Sequence, residues 1–93
     1  MPKNCNYKLK FTKNAYKSLK KITTEDKNIG KGLYDSIGEI LENPLNSKLL
    51  HGKFKGARRV RKGKFRIVFY MNNNCNPPEI RIYEIGKRQN IYK

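Results

Sequence analysis

Tyr7, Leu9 and Phe11 alternate with Lys8 and Lys10, the period-two pattern of a strand with one buried face. From near Thr12 the period changes: Ala15, Leu19 and Ile22 recur at three- and four-residue steps, which predicts a helix. Thr23 and Thr24, followed by Glu25 and Asp26, read as the N-cap and first turn of a second helix, where acids complement the helix dipole. Its apolar stripe is Ile29, Leu33, Ile37, Ile40 and Leu41, and Asn43-Pro44 ends it. Gly30 and Gly32 weaken its early part by roughly 1 kcal/mol each relative to alanine, which would allow a bend or fraying there.

Beyond a Lys- and Gly-rich connection the period returns to two. Arg58 to Arg61 reads as a strand, Lys62-Gly63 as a two-residue turn and Lys64 to Met71 as the returning strand, rich in β-branched and aromatic residues. The stretch NNNCNPP leads to a last strand, Glu79 to Ile85, and a polar tail, GKRQNIYK. The order β-α-α-β-β-β predicts an α+β fold: a small antiparallel sheet with an N-terminal helical hairpin packed on one face. No repeat or linker divides the chain, and 93 residues suit one domain spanning 1–93.

Placing the turn at Lys62-Gly63 pairs Arg61 with Lys64, Val60 with Phe65 and Arg59 with Arg66. Arg59, Arg61, Lys64 and Arg66 then share one side of the sheet. Like charges facing each other across a sheet repel, so the fold gains nothing from them. The bland reading is that they discourage edge-to-edge aggregation. Three arginines among four cations point instead to phosphate, because a planar guanidinium engages two of its oxygens at once. Tyr7, Phe11, Phe65 and Phe69 sit where an alternating strand needs its core, whereas Tyr70 and Tyr83 could pack or stack on bases.

Net charge strengthens that reading. Lysine and arginine number 22 against 7 acids, a formal charge of +15, which disfavours compaction and implies a polyanionic partner. No acid occurs between Glu42 and Glu79, where nine cations lie, while Glu25, Asp26, Asp35, Glu39 and Glu42 cluster in the helical half. No apolar run approaches the roughly 18 residues of a membrane span, and the first residues lack a secretion signal's apolar core, so a cytoplasmic protein is expected. Cys5 and Cys75 form no metal-ligand spacing with the lone His51, and reduced thiols are the default in such a compartment.

Leu50-His51-Gly52, Arg59-Val60-Arg61, Gly63, Phe65-Arg66-Ile67-Val68-Phe69-Tyr70 and Ile85-Gly86-Lys87-Arg88 with Tyr92 together resemble the RelE/ParE toxin superfamily. Each motif is loose, but their order and spacing are fairly specific, and the likeness spans nearly the whole chain. It implies a RelE-like fold and, by the RelE branch, a toxin of a type II toxin–antitoxin system that cuts messenger RNA on the ribosome. The positions matching that branch's catalytic residues are Arg59, Arg61, Arg66, Arg88 and Tyr92, with Lys53, Lys55, Arg58, Lys64 and Lys87 as further RNA contacts. Implied partners are a RelB-like antitoxin, the ribosome and messenger RNA; neither a metal nor a small-molecule cofactor is expected.

Arg59 and Arg61 depart from the lysines frequent at these positions in the family. Arginine releases a proton far less readily, so an electrostatic role suits both better than a general-base role. Tyr92 is the better base, since cationic neighbours lower a phenol's pKa from its reference of about 10. His51, in a connection, is a rival base of neutral-range titration. Two other functions fit the charge: a ParE-type poison of DNA gyrase, and a nucleic-acid-binding protein without catalysis. Neither accounts as well for the placement of Arg88 and Tyr92.

Overall fold

The computed structural model describes residues 7–50, 55–74 and 77–87, which form an α+β fold. In chain order the elements are β1 (Lys8–Phe11), α1 (Lys13–Glu25), α2 (Lys27–Glu42), a 3-10 turn (Pro44–Asn46), β2 (Lys48–Leu49), β3 (Ala57–Lys62), β4 (Phe65–Asn72) and β5 (Glu79–Lys87). The strands make one sheet in the order β1-β5-β4-β3-β2. Ala15, Leu19, Leu33, Ile37 and Ile40 of the helices close over Ile67, Phe69, Ile80, Ile82 and Ile85 of the central strands. Tyr7, Phe11 and Phe65 pack against this core, as their alternation predicts. Each large side chain fully buried there contributes roughly 1.5–3 kcal/mol.

Helix α1 starts at Thr12, whose side-chain oxygen accepts from the Ala15 amide at 3.1 Å. The cap expected for α2 at Thr23-Thr24 is instead Asp26, whose carboxylate accepts from the amides of Asn28 (3.0 Å) and Ile29 (3.2 Å). The two threonines lie in the last turn of α1 and donate back to the carbonyls of Leu19 (2.8 Å) and Lys20 (2.9 Å). Hydroxyls satisfied by the preceding turn leave the helix end to the charged acceptor behind them. No break follows at Gly30: α2 runs unbroken, and a Cβ at Gly30 would lie 2.8 Å from the Thr23 Cα. The glycine lets the two helices touch.

The sheet departs from the expected pattern at both edges. Strands β2 to β5 are antiparallel, but β1 runs parallel to β5, pairing Leu9 with Ile80 and Phe11 with Ile82. The helical hairpin carries the chain from the β1 edge to the β2 edge, so β1 is left to receive the last strand. Strand β2, two residues long, is too short for any periodicity to reveal.

The hairpin of β3 and β4 turns at Gly63-Lys64, one residue later than expected, and pairs Lys62 with Phe65, Arg61 with Arg66, Val60 with Ile67 and Arg59 with Val68. Gly63 has φ +60°, and among the described residues no non-glycine has positive φ. A two-residue turn that begins with glycine meets the positive-φ requirement of a type II′ connection, whereas a type I′ turn at Lys62-Gly63 would force Lys62 into that region.

Candidate nucleic-acid interface

Displacing a two-residue turn by one position moves every cross-strand partner by two, and a sheet of period two keeps each side chain on its side. The individual pairs expected for Arg59, Arg61 and Lys64 are therefore wrong, yet Arg59, Arg61 and Arg66 still share a face. Ile67 and Phe69 point to the helices; Arg66, Val68 and Tyr70 point away, together with Ala57, Arg59 and Arg61 opposite them on β3. This open face carries two aligned rows. One contains Arg61, Arg66 and Gly86; the next contains Lys48, Arg59, Val68 and Glu84.

Arg66 is 4% exposed, whereas Arg59 is half-buried and Arg61 exposed. Its neighbour on β5 is Gly86, which offers no side chain to fill the space above the sheet. Arg61, Arg66, Gly63 and Lys64 line an open cleft of about 300 Å³ without an acidic side chain. Placing Arg61 directly opposite Arg66 disfavours the fold by roughly 0.2–1 kcal/mol, which an anion in the cleft would relieve. A cation already held in a partly desolvated site also acts on a developing charge more strongly than one in bulk water.

The β1 side of the same face is also cationic, with exposed Lys8 and Lys10 in register with Glu79 and Arg81. Arg81 pairs with Glu79 at 3.3 Å, Glu79 being buried. Tyr70 and Tyr83, left open by the sequence, meet edge to face with ring centroids 5.4 Å apart, and Tyr70 packs on Leu50, Ala57 and Val68. These contacts depend on a bulge: Val68 pairs with Glu84 but Phe69 with Ile82, leaving Tyr83 as the extra residue. Both Ile82 and Ile85 thereby reach the core although they are three residues apart.

Arg58 and Lys87 do not join the open face. Arg58 registers with Leu49 and Phe69 on the helix-bearing side and donates from Nη1 to the Ser47 carbonyl at 3.1 Å; Lys87 registers with Phe65. Lys55 is exposed just before β3. Lys53, Arg88, Tyr92, His51, Cys5 and Cys75 lie outside the described residues. Several members of the face escaped sequence reading, among them Lys8 and Lys10 of β1, Lys48 and Glu84. Lys48 belongs to the two-residue strand, and Glu84 is brought round by the bulge, whose one sequence signal is the three-residue spacing of Ile82 and Ile85. Among the described residues no cluster of three His, Cys, Asp or Glu side chains is placed to hold a metal ion, and no helix is long and apolar enough to cross a membrane.

By sequence the chain matches no family model and no curated protein. Its fold matches solved toxin structures. A RelBE toxin–antitoxin complex from Mycobacterium tuberculosis aligns with TM-score 0.74 and 21% identity over 95% of this chain and 98% of that one. A YoeB/ParE toxin from Agrobacterium tumefaciens gives 0.76 and 15% over 87% and 98%. The isolated Escherichia coli RelE toxin gives 0.71 and 21% over 92% and 90%. The chain shares its fold with these toxin structures.

Proposed function

On this RelE-type fold, we propose that the chain is the toxin of a toxin–antitoxin pair and acts as a ribosome-dependent messenger-RNA endonuclease. The observation that carries the reading is the placement of Arg59, Arg61 and Arg66 on one face, where Arg61 and Arg66 line an open cleft free of acids. A structural role alone would not select like charges at directly opposed positions.

In the proposed reaction the ribose 2′-hydroxyl attacks the adjacent phosphorus in line. The P–O5′ bond breaks, leaving a 2′,3′-cyclic phosphate and a 5′-hydroxyl. Arg59, Arg61 and Arg66 hold the phosphate and stabilise the charge of its pentavalent transition state, as preorganised donors do in other transfer reactions. Tyr92 accepts the 2′-hydroxyl proton, and Arg88 stabilises the departing oxygen; both assignments rest on the resemblance of Gly86-Lys87-Arg88 and Tyr92 to the family motif. The chemistry asks for no metal. Lys48, Lys53, Lys55 and Lys64 add phosphate contacts that position the strand without reading its sequence.

The antitoxin is a RelB-like protein with an acidic or amphipathic segment, matched to a basic surface that would otherwise repel itself, and the site of action is the cytoplasm. The alternative within the same fold is a ParE-type gyrase poison. Purified protein added to translating ribosomes, followed by primer extension on the messenger, should reveal stops at discrete codons. Gyrase trapped on DNA with intact messenger would favour the alternative.

A further inference from the structure

The outer surface of the helical hairpin holds a second concentration of cations, on the opposite side of the molecule from the arginine face. Over residues 13–42 the charges nearly balance, six lysines against five acids. Lys20 of α1 and Lys27 and Lys31 of α2 line an open groove of about 730 Å³, and none of its lining side chains is acidic. Asp26 is engaged in capping α2, Glu39 lines a different cavity with Asn43 and Val60, and Glu42 ends the helix, while exposed Glu25 and Asp35 flank the lining residues Thr24 and Tyr34 without lining the groove themselves.

Aromatic rings bracket one end of the groove. Tyr16 and Tyr34 are each 51% exposed, an unusual degree for two rings on one surface. Tyr16 is oriented by the edge-to-face contact with Phe11 at 6.1 Å, and the Lys20 ammonium stands 5.6 Å from its ring centroid. Thr23 and Thr24 supply the rest of the α1 wall. No leucine, isoleucine, valine or phenylalanine lines the groove, so its apolar area consists of tyrosine rings, the methylene stems of lysines and the methyl groups of threonines. An amphipathic protein helix would find no aliphatic pocket for its anchors. Lysine charges alternating with exposed aromatic faces suit a nucleic-acid strand, whose phosphates meet the ammonium groups and whose bases stack on the rings.

We propose that this groove is a second RNA-binding site, which grips a phosphate backbone while the arginine face holds another segment of RNA. The proposal rests on the reading of RNA as the partner but not on cleavage. The two sides of the molecule then act as a clamp, and the excess positive charge serves two surfaces instead of one.

Binding of the full-length protein to a fluorescent oligouridine, titrated against salt, tests it. Lys20→Gln/Lys27→Gln/Lys31→Gln should lower the slope of log K against log salt by roughly two, at about 0.7 per lost single-strand phosphate contact, and weaken binding on the order of 100-fold at low salt. Lys13→Gln/Lys17→Gln/Lys21→Gln removes the same charge from exposed positions of α1 outside the groove and should cost less than about threefold. Tyr16→Leu/Tyr34→Leu should weaken binding roughly tenfold with an unchanged salt slope, through lost stacking. Far-ultraviolet circular dichroism identifies any variant that fails to fold; the tyrosine pair, which retains every charge, then carries the test. Equal losses in the two lysine triples, or wild-type affinity in the groove variant, would overturn the proposal. So would a groove variant that keeps RNA but no longer binds the antitoxin. A wild-type protein that binds through the groove yet never cuts messenger would remove the nuclease reading and leave this one standing.

Discussion

Thr12 and Tyr83, 71 residues apart, are joined by a 2.8 Å hydrogen bond from the threonine hydroxyl to the tyrosine carbonyl, at the point where β5 bulges. The same hydroxyl oxygen accepts from the Ala15 amide, and the Thr12 amide donates to the Ile82 carbonyl at 3.0 Å. One residue thus starts α1 and fixes the bulge that turns Tyr83 and Glu84 to the open face. Thr12→Val should remove both side-chain bonds and lower stability by about 1–2 kcal/mol, with Thr12→Ser restoring most of it. Urea denaturation measures this, and a loss below about 0.5 kcal/mol for valine would show that the bulge needs no such tie.

The glycines of α2 should respond in opposite senses. Gly30→Ala improves helix propensity by roughly 1 kcal/mol but drives a methyl group into Thr23, so a net loss of about 1–3 kcal/mol is expected. Gly38→Ala meets nothing within 4 Å and should stabilise by up to about 1 kcal/mol. Thermal denaturation of the two variants side by side checks the helix contact, and stabilisation by both would contradict it.

Much of this architecture was legible because periodicity survives small errors of placement. The stripe from Ile29 to Leu41 and the alternation of Tyr7, Leu9 and Phe11 identify their elements directly. The arginine face was legible despite the misplaced turn, since parity alone assigns Arg59, Arg61 and Arg66 to one side. The same parity separates Arg58 from them, although charge clustering suggested otherwise. What periodicity cannot carry is long-range partnership. The parallel pairing of β1 with β5 and the two-residue β2 depend on where the helical hairpin delivers the chain. The Asp26 cap was obscured because Thr23 and Thr24 offer a cap pattern that the backbone of α1 absorbs.

The turn offers a test of register. Gly63→Ala should cost about 1 kcal/mol at φ +60°, and Gly63→Val more, because a β-branched residue is more strained there. Lys64→Gly places no new demand on the backbone and should change stability by less than that. Greater sensitivity at Lys64 than at Gly63 would indicate a different turn.

Glu84 sits in the row with Lys48, Arg59 and Val68, where its charge offsets the arginines in the absence of RNA. Glu84→Gln should lower the melting temperature slightly at low salt, corresponding to no more than about 1 kcal/mol, and tighten RNA binding severalfold. Weaker binding would mean that the carboxylate contacts RNA itself.

Single-turnover cleavage of ribosome-bound messenger, compared between the wild-type protein and Arg61→Ala, tests the central claim most directly. Arg61 is exposed, so its removal should leave the fold intact while withdrawing a cation from the transition state. The wild-type protein should cut, and Arg61→Ala should cut about 100-fold more slowly, the scale of a lost preorganised donor, with ribosome binding reduced far less. Wild-type protein that leaves ribosome-bound messenger intact, or Arg61→Ala that cuts at the full rate, would contradict the account.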